Sequence, residues 1–205
     1  MKNIFFTFFL IYIVEGISYG QNFNAYLSGG IVTSQVSGDA LGGFDKAGVE
    51  TGIGVSTPVA KKMAMAFELT YIQKGSRKPS KLDQGDISQY LLRLNYLEVP
   101  ITINYQLNDK FDVYLGASAG YLISSLEENE NGEIFPALPF KSTDISVIGG
   151  AEYRFGKHLK ANLRGLQSVL PVREFGGQVN SFVDAGQYNS VFVLMVNYYF
   201  KPLEK

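Results

Sequence analysis

The stretch FDVYLGASAGYLIS, residues 111–124, carries two patterns that imply different proteins. Gly116-Ala117-Ser118-Ala119-Gly120 fits the G-x-S-x-G nucleophile elbow, and Asp144 and the single histidine, His158, follow in the Ser…Asp…His order of such hydrolases. The same letters alternate with period two. Phe111, Val113, Leu115, Ala117, Ala119, Tyr121 and Ile123 share one face, with Asp112, Tyr114, Gly116, Ser118, Gly120 and Ser124 on the other. An elbow needs a sharp turn into a helix. Here the alternation runs through the motif unbroken. Ser118 would lie roughly 15–20 Å along the strand from the turn that holds His158, whereas a general base must come within about 3 Å of its nucleophile. The stretch reads as a strand.

The alternation continues on both sides. Ile145, Val147, Gly149, Ala151, Tyr153 and Phe155 oppose Asp144, Ser146, Gly150, Glu152 and Arg154, and Met63, Met65, Phe67, Leu69 and Tyr71 oppose Ala64, Ala66, Glu68 and Thr70. Near the end, Phe192, Leu194, Val196, Tyr198 and Phe200 share a face. Eight strands are expected, at 24–34, 48–57, 62–74, 90–105, 111–124, 142–155, 159–169 and 188–200. The turns at 58–61, 106–110 and 156–158 are short, and the loops at 35–47, 75–89, 125–141 and 170–187 are long and rich in Gly, Ser, Asp, Glu and Pro. An even strand count with short turns at one end and long loops at the other predicts an all-β, eight-stranded, antiparallel up-and-down transmembrane β-barrel. Its short turns would be periplasmic and its long loops extracellular.

The N-terminus agrees with export. Lys2, the apolar run Ile4 to Val14, and Ser18 and Gly20 as small residues before Gln21 describe a signal peptide over residues 1–20, leaving a barrel domain over 21–205. The apolar run is too short for a spanning helix, which takes about 20 residues. The 205 residues carry a net charge of −1 and no cysteine, which gives no basis for nucleic-acid binding, disulfides or thiolate metal sites.

Which face turns inward follows from glycine and charge. Gly52, Gly54, Gly116, Gly120 and Gly150 fall on the polar face together with Glu50, Glu68, Arg93, Glu98, Glu152, Arg154 and Arg164. A narrow lumen needs small residues beside bulky charged ones, and lipid does not solvate charge. These seven residues are therefore expected inside as lumen charges, in cross-lumen ion pairs whose partners the sequence does not specify. Tyr105, Phe111, Phe155, Tyr198 and Phe200 would form one aromatic girdle, and Tyr71, Tyr90 and Tyr121 the other.

Tyr96-Leu97-Glu98-Val99-Pro100-Ile101 then resembles the Y-L-E-[IV]-P-[IL] strand of Bacteroidetes outer-membrane β-barrel proteins, the PorT-like "porin family" group. Tyr71-Ile72-Gln73-Lys74-Gly75 before it, and Tyr114-Leu115-Gly116 through Gly120-Tyr121 after it, are similar to that family's flanking strands. The resemblance implies residence in the cell outer membrane among its lipids. It also implies contact with the barrel-assembly machinery through Tyr198 and Phe200, although Lys201 to Lys205 follow that signal. It implies no uniform activity; some members resemble a component of a secretion apparatus. Pro100 removes a ladder donor, so a bulge or pairing break is expected there.

Other motifs are weaker. Gly150 to Lys157 has five residues between its glycines and no following helix, so it is no phosphate loop. The acidic run Glu127 to Glu133 lacks calcium-loop spacing. Arg77, Lys78 and Lys81 are candidates for touching lipopolysaccharide phosphates, although solvated loop charge is the simpler account. No catalytic, cofactor or metal site is expected. The functional reading is a non-enzymatic barrel with a filled lumen and a structural, docking or surface-binding role. A secretion or assembly factor binding envelope proteins is the alternative, and a barrel lipid hydrolase a distant third.

Overall fold

The computed structural model describes residues 23–39, 41–80, 87–135, 138–174 and 186–203. The proposed signal peptide lies outside them. Eight long antiparallel strands form the wall: β1 Asn24–Ser37, β2 Lys46–Ala60, β3 Met63–Lys78, β4 Tyr90–Gln106, β5 Phe111–Asn129, β6 Thr143–Arg154, β7 Leu159–Ser168 and β8 Gly186–Tyr199. Two-residue strands, Gly132–Glu133 and Arg173–Glu174, pair onto β5 and β8 above the wall. The first strand pairs with the last from Tyr26–Tyr199 to Ser37–Tyr188, so the sheet closes and no wall edge is left unpaired. Closure lets every wall strand satisfy its backbone within lipid.

Several strands run further toward the long loops than alternation alone predicts, reaching Ser37, Lys78 and Asn129. Backbone pairing has no need of an apolar outer face, so it continues after the alternation has faded. Pro100 breaks the β3–β4 ladder, which passes from Phe67–Ile101 to Thr70–Glu98 with its register unchanged. The bulge lies elsewhere. Asn95 opposes Ser124 and Tyr96 opposes Leu122, so Ile123 is the extra residue of β5. Beyond it the faces exchange, and Ser124 lies on the outer row with Asn95 rather than on the lumen face.

The outer wall is apolar across its middle, where Ile31, Ile53, Phe67, Ile101, Leu115, Val147, Leu163 and Leu194 are exposed. Tyr105, Phe111, Phe155, Tyr198 and Phe200 lie exposed at the short-turn end, and Tyr121 at the other. Tyr90 departs from the expected girdle. It shares its rung with Asn129 and turns inward, donating its hydroxyl to Glu127 at 2.7 Å.

Inside, the two halves differ. The half toward the long loops holds an apolar core that includes Val36, Ile72, Leu92, Leu94, Tyr96, Leu166, Val191 and Val193. The half toward the short turns holds charge. The inward glycines leave room for rings: a Cβ on Gly54 would lie 2.3 Å from the Tyr26 ring, and one on Gly150 would lie 2.4 Å from that of Tyr114.

Candidate functional site

The serine motif resolves into packing. Ser118 is buried on a rung with Ser146, which in turn pairs with Ser168. Its hydroxyl donates to Glu98 at 3.2 Å. Asp144 accepts from Ser168 at 2.7 Å and takes an ion pair from Lys74 at 3.0 Å. His158 lies ten residues back along the chain from Ser168, roughly 33 Å of strand at about 3.3 Å per residue. Its ring contacts the Tyr199 carbonyl at 2.7 Å and stacks on Tyr198. No proton can pass between Ser118 and His158.

The lumen charges form three clusters of one design, each a cation held by two carboxylates and one tyrosine ring. Nearest the short turns, Lys160 joins Asp112 at 2.5 Å and Glu152 at 2.8 Å, over the Tyr199 ring. Above it, Arg164 joins Glu50 at 3.0 Å through one guanidinium nitrogen and Glu68 at 2.7 Å through another, against Tyr114. Highest, Lys74 joins Glu98 at 2.5 Å and Asp144 at 3.0 Å, beside Tyr96. A buried cation is stable only when its partners replace most of its hydration, which two carboxylates and a π-face do. Side-chain amides and hydroxyls complete the set: Asn162 and Asn197 donate to Glu152, Tyr26 to Glu68, and Asn189 to Asp144.

Of the expected lumen charges, Glu50, Glu68, Glu98, Glu152 and Arg164 are buried in this network. Arg154 shares the inward row and lies at the short-turn mouth beside Lys160 and Asp112. Arg93 is a correction. It is exposed on the outer wall, on a rung with Gly75 and Leu126. Its separation from the inward Glu98 is five residues, an odd number, so one unbroken strand cannot turn both inward. The cations that Glu98 and Glu152 use, Lys74 and Lys160, were not expected. Their signal was present in the same-face positions of Lys74 with Glu68, and of Lys160 with Arg164.

A further ion pair lies at the long-loop end of the barrel. Arg173 pairs with Glu127 at 2.7 Å, bonds Gln187 at 2.9 Å and lies over the Phe140 ring at 4.2 Å. Val172, beside it, is fully buried. Among the described residues, no group of three or more acidic or histidine side chains is arranged to hold a metal ion.

Residues 13–172 match the sequence profile of the family described as outer membrane protein beta-barrel domain. No sequence match exists among curated proteins. Neisserial surface protein A is similar in fold, with a TM-score of 0.54 at 13% identity, 86% of this chain and 97% of that one being covered. The attachment invasion locus protein Ail of Yersinia pestis, solved with the heparin analogue sucrose octasulfate, gives 0.49 at 13% over 87% and 99%. OprG of Pseudomonas aeruginosa gives 0.43 at 12% over 88% and 97%.

Proposed function

Because the chain belongs to the outer membrane protein beta-barrel domain family, we propose that it is a non-enzymatic barrel of the outer membrane that acts as a structural, docking or surface-binding element through its long loops. The observation that carries this reading is the filled lumen. Three buried charge clusters are stacked below an apolar core, and the ion pair of Arg173 with Glu127 lies above them. Eight strands enclose just enough room for side chains, so the barrel offers no aqueous path. Purified protein in planar bilayers should give no stable single-channel steps, and reproducible conductance would overturn the proposal. An ester substrate should be hydrolysed no faster by the parent than by Ser118→Ala.

A secretion or assembly role of the PorT type is the second reading, suggested by Tyr96 to Ile101. Tyr96, Glu98 and Pro100 all face the lumen, where Tyr96 and Glu98 surround Lys74. The motif thus has a packing reason to exist in a barrel of any function. Cross-linking in envelopes followed by capture would support this role by recovering one specific partner protein. The exposed Tyr198 and Phe200 are where the barrel-assembly machinery would engage during biogenesis.

A further inference from the structure

We propose that Lys74 and Asp144 join covalently once the barrel has folded, the Lys74 amine and the Asp144 carboxyl condensing to an amide that rivets β3 to β6 across the lumen. The three lumen cations each sit between two carboxylates, but they are not chemically alike. The Arg164 guanidinium stays protonated and is no nucleophile. Lys160 is an amine, yet it lies at the short-turn mouth, where its side chain is 9% exposed and that of Asp112 12%. Lys74 is the amine sealed from solvent: its side chain and that of Asp144 have no exposure, and that of Glu98 has 2%. Leu94 shares its rung and Ile72 precedes it on the inward row, both fully buried in the apolar core.

The surroundings of the two carboxyls differ and assign their roles. Asp144 Oδ2 meets Lys74 Nζ at 3.0 Å and accepts from Asn189 at 2.9 Å. Its Oδ1 accepts from the hydroxyls of Ser168 at 2.7 Å and Ser146 at 3.3 Å. Two donors on one oxygen are what a tetrahedral intermediate needs where its negative charge develops. Glu98 receives one hydroxyl, that of Ser118 at 3.2 Å on Oε2, and its Oε1 lies 2.5 Å from Lys74 Nζ. Asp144 is therefore the electrophile and Glu98 the proton carrier. Glu98 takes a proton from the ammonium, and the freed amine attacks Cγ of Asp144. The C–N bond forms and charge collects on Oδ1. Glu98 then delivers two protons from the nitrogen to Oδ2, one after the other, and the C–Oδ2 bond breaks as water leaves. One hydrogen stays on the amide, and Glu98 ends as it began. Groups held in contact in this way react at effective molarities of about 10⁵–10⁸ M, which favours condensation in a site without bulk water. The amide also replaces a buried ammonium and a buried carboxylate by one neutral group, which lifts the cost of keeping both charges out of water.

The test is peptide mapping by mass spectrometry of the full chain extracted from outer membranes, denatured and digested with trypsin. Residues 63–77 and 142–154 should be recovered as one joined species, lighter than their sum by one water and uncleaved after Lys74. Chain recovered unfolded in urea from inclusion bodies should give the two stretches separately, and folding it into detergent should join them. Glu98→Gln keeps the shape of the site and should slow joining by about 100-fold or more, the usual contribution of a general acid–base. Lys74→Arg keeps the charge without the amine and should leave the chain open, so that after boiling it migrates differently from the parent. A heat-modifiability gel, comparing unboiled with boiled samples, checks that each variant folds. Separate stretches from the folded parent would overturn the proposal whatever the variants do. A link from Lys74 to Glu98 instead would overturn the choice of electrophile, and joining at the parent rate in Glu98→Gln would overturn Glu98 as proton carrier.

Discussion

Arg164→Met should destabilise the folded barrel by about 3–5 kcal/mol, read as a shift in its urea unfolding midpoint in lipid vesicles. Arg164 is almost fully buried and bridges Glu50 on β2 and Glu68 on β3 from the far side of the lumen. Its third nitrogen donates to the Tyr114 hydroxyl at 3.2 Å. Methionine fills much of the volume but leaves two carboxylates buried close together with no cation between them. The cost comes from those orphaned charges more than from the lost attraction. Adding Glu50→Gln and Glu68→Gln to the same chain should therefore recover most of the loss, since removing all the charges of a buried cluster is often nearly neutral. Arg164→Lys should fall between, because an ammonium cannot reach all three partners in the fork geometry. An Arg164→Met barrel within about 1 kcal/mol of the parent would mean that water reaches the cluster and that the lumen is not closed.

This network shows where sequence reading stops. Alternation is local, so strand number, the short-turn and long-loop ends and the inward placement of Glu50, Glu68, Glu98 and Glu152 are all legible from residues two apart. Pairing across the lumen is not local. Arg164 and Glu50 are 114 residues apart, and which carboxylate a cation meets depends on the stagger at which β1 closes on β8. The bulge at Ile123 leaves no mark in the letters, yet it decides the face of every later residue of β5. Arg93 follows parity rather than chemistry and stands on the outer wall, because a charged residue in a strand marks a lumen only while the strand is inside the bilayer. Beyond the belt, the outer wall is wet and takes charge freely. The apolar core is hidden in the sequence for a related reason. Val191 to Val196 is apolar on both faces, with Val191, Val193 and Met195 buried and Phe192, Leu194 and Val196 exposed. A membrane barrel was expected to have a polar interior throughout, and this one closes its upper half with hydrocarbon instead.

Leu115→Arg is expected to cost about 2–4 kcal/mol in a bilayer, and the size of that cost depends on depth. Leu115 is 74% exposed and shares its outer rungs with Ile103 and Gly149. On its own face of β5 it stands between Phe111 at the short-turn girdle and Tyr121 at the other, close to the middle of the belt. An arginine there must either carry its guanidinium into hydrocarbon or reach along the wall to a headgroup, and both are unfavourable. Gly149 beside it offers no polar group to shelter the charge. Ser124→Arg, on the outer row of the same strand above Tyr121 and opposite Asn95, places the same side chain where the layer is hydrated and should cost about 0–1 kcal/mol. The comparison separates depth from bulk, because both substitutions add a long cation to an outward position of an intact strand. Unfolding in vesicles gives the magnitude, and the heat-modifiability gel gives the folded fraction. In a water-soluble barrel the two substitutions would have similar, small effects. A large difference with Leu115→Arg the costlier is what a lipid-facing wall requires, and equal costs would mean that the exposed belt is covered by something other than lipid.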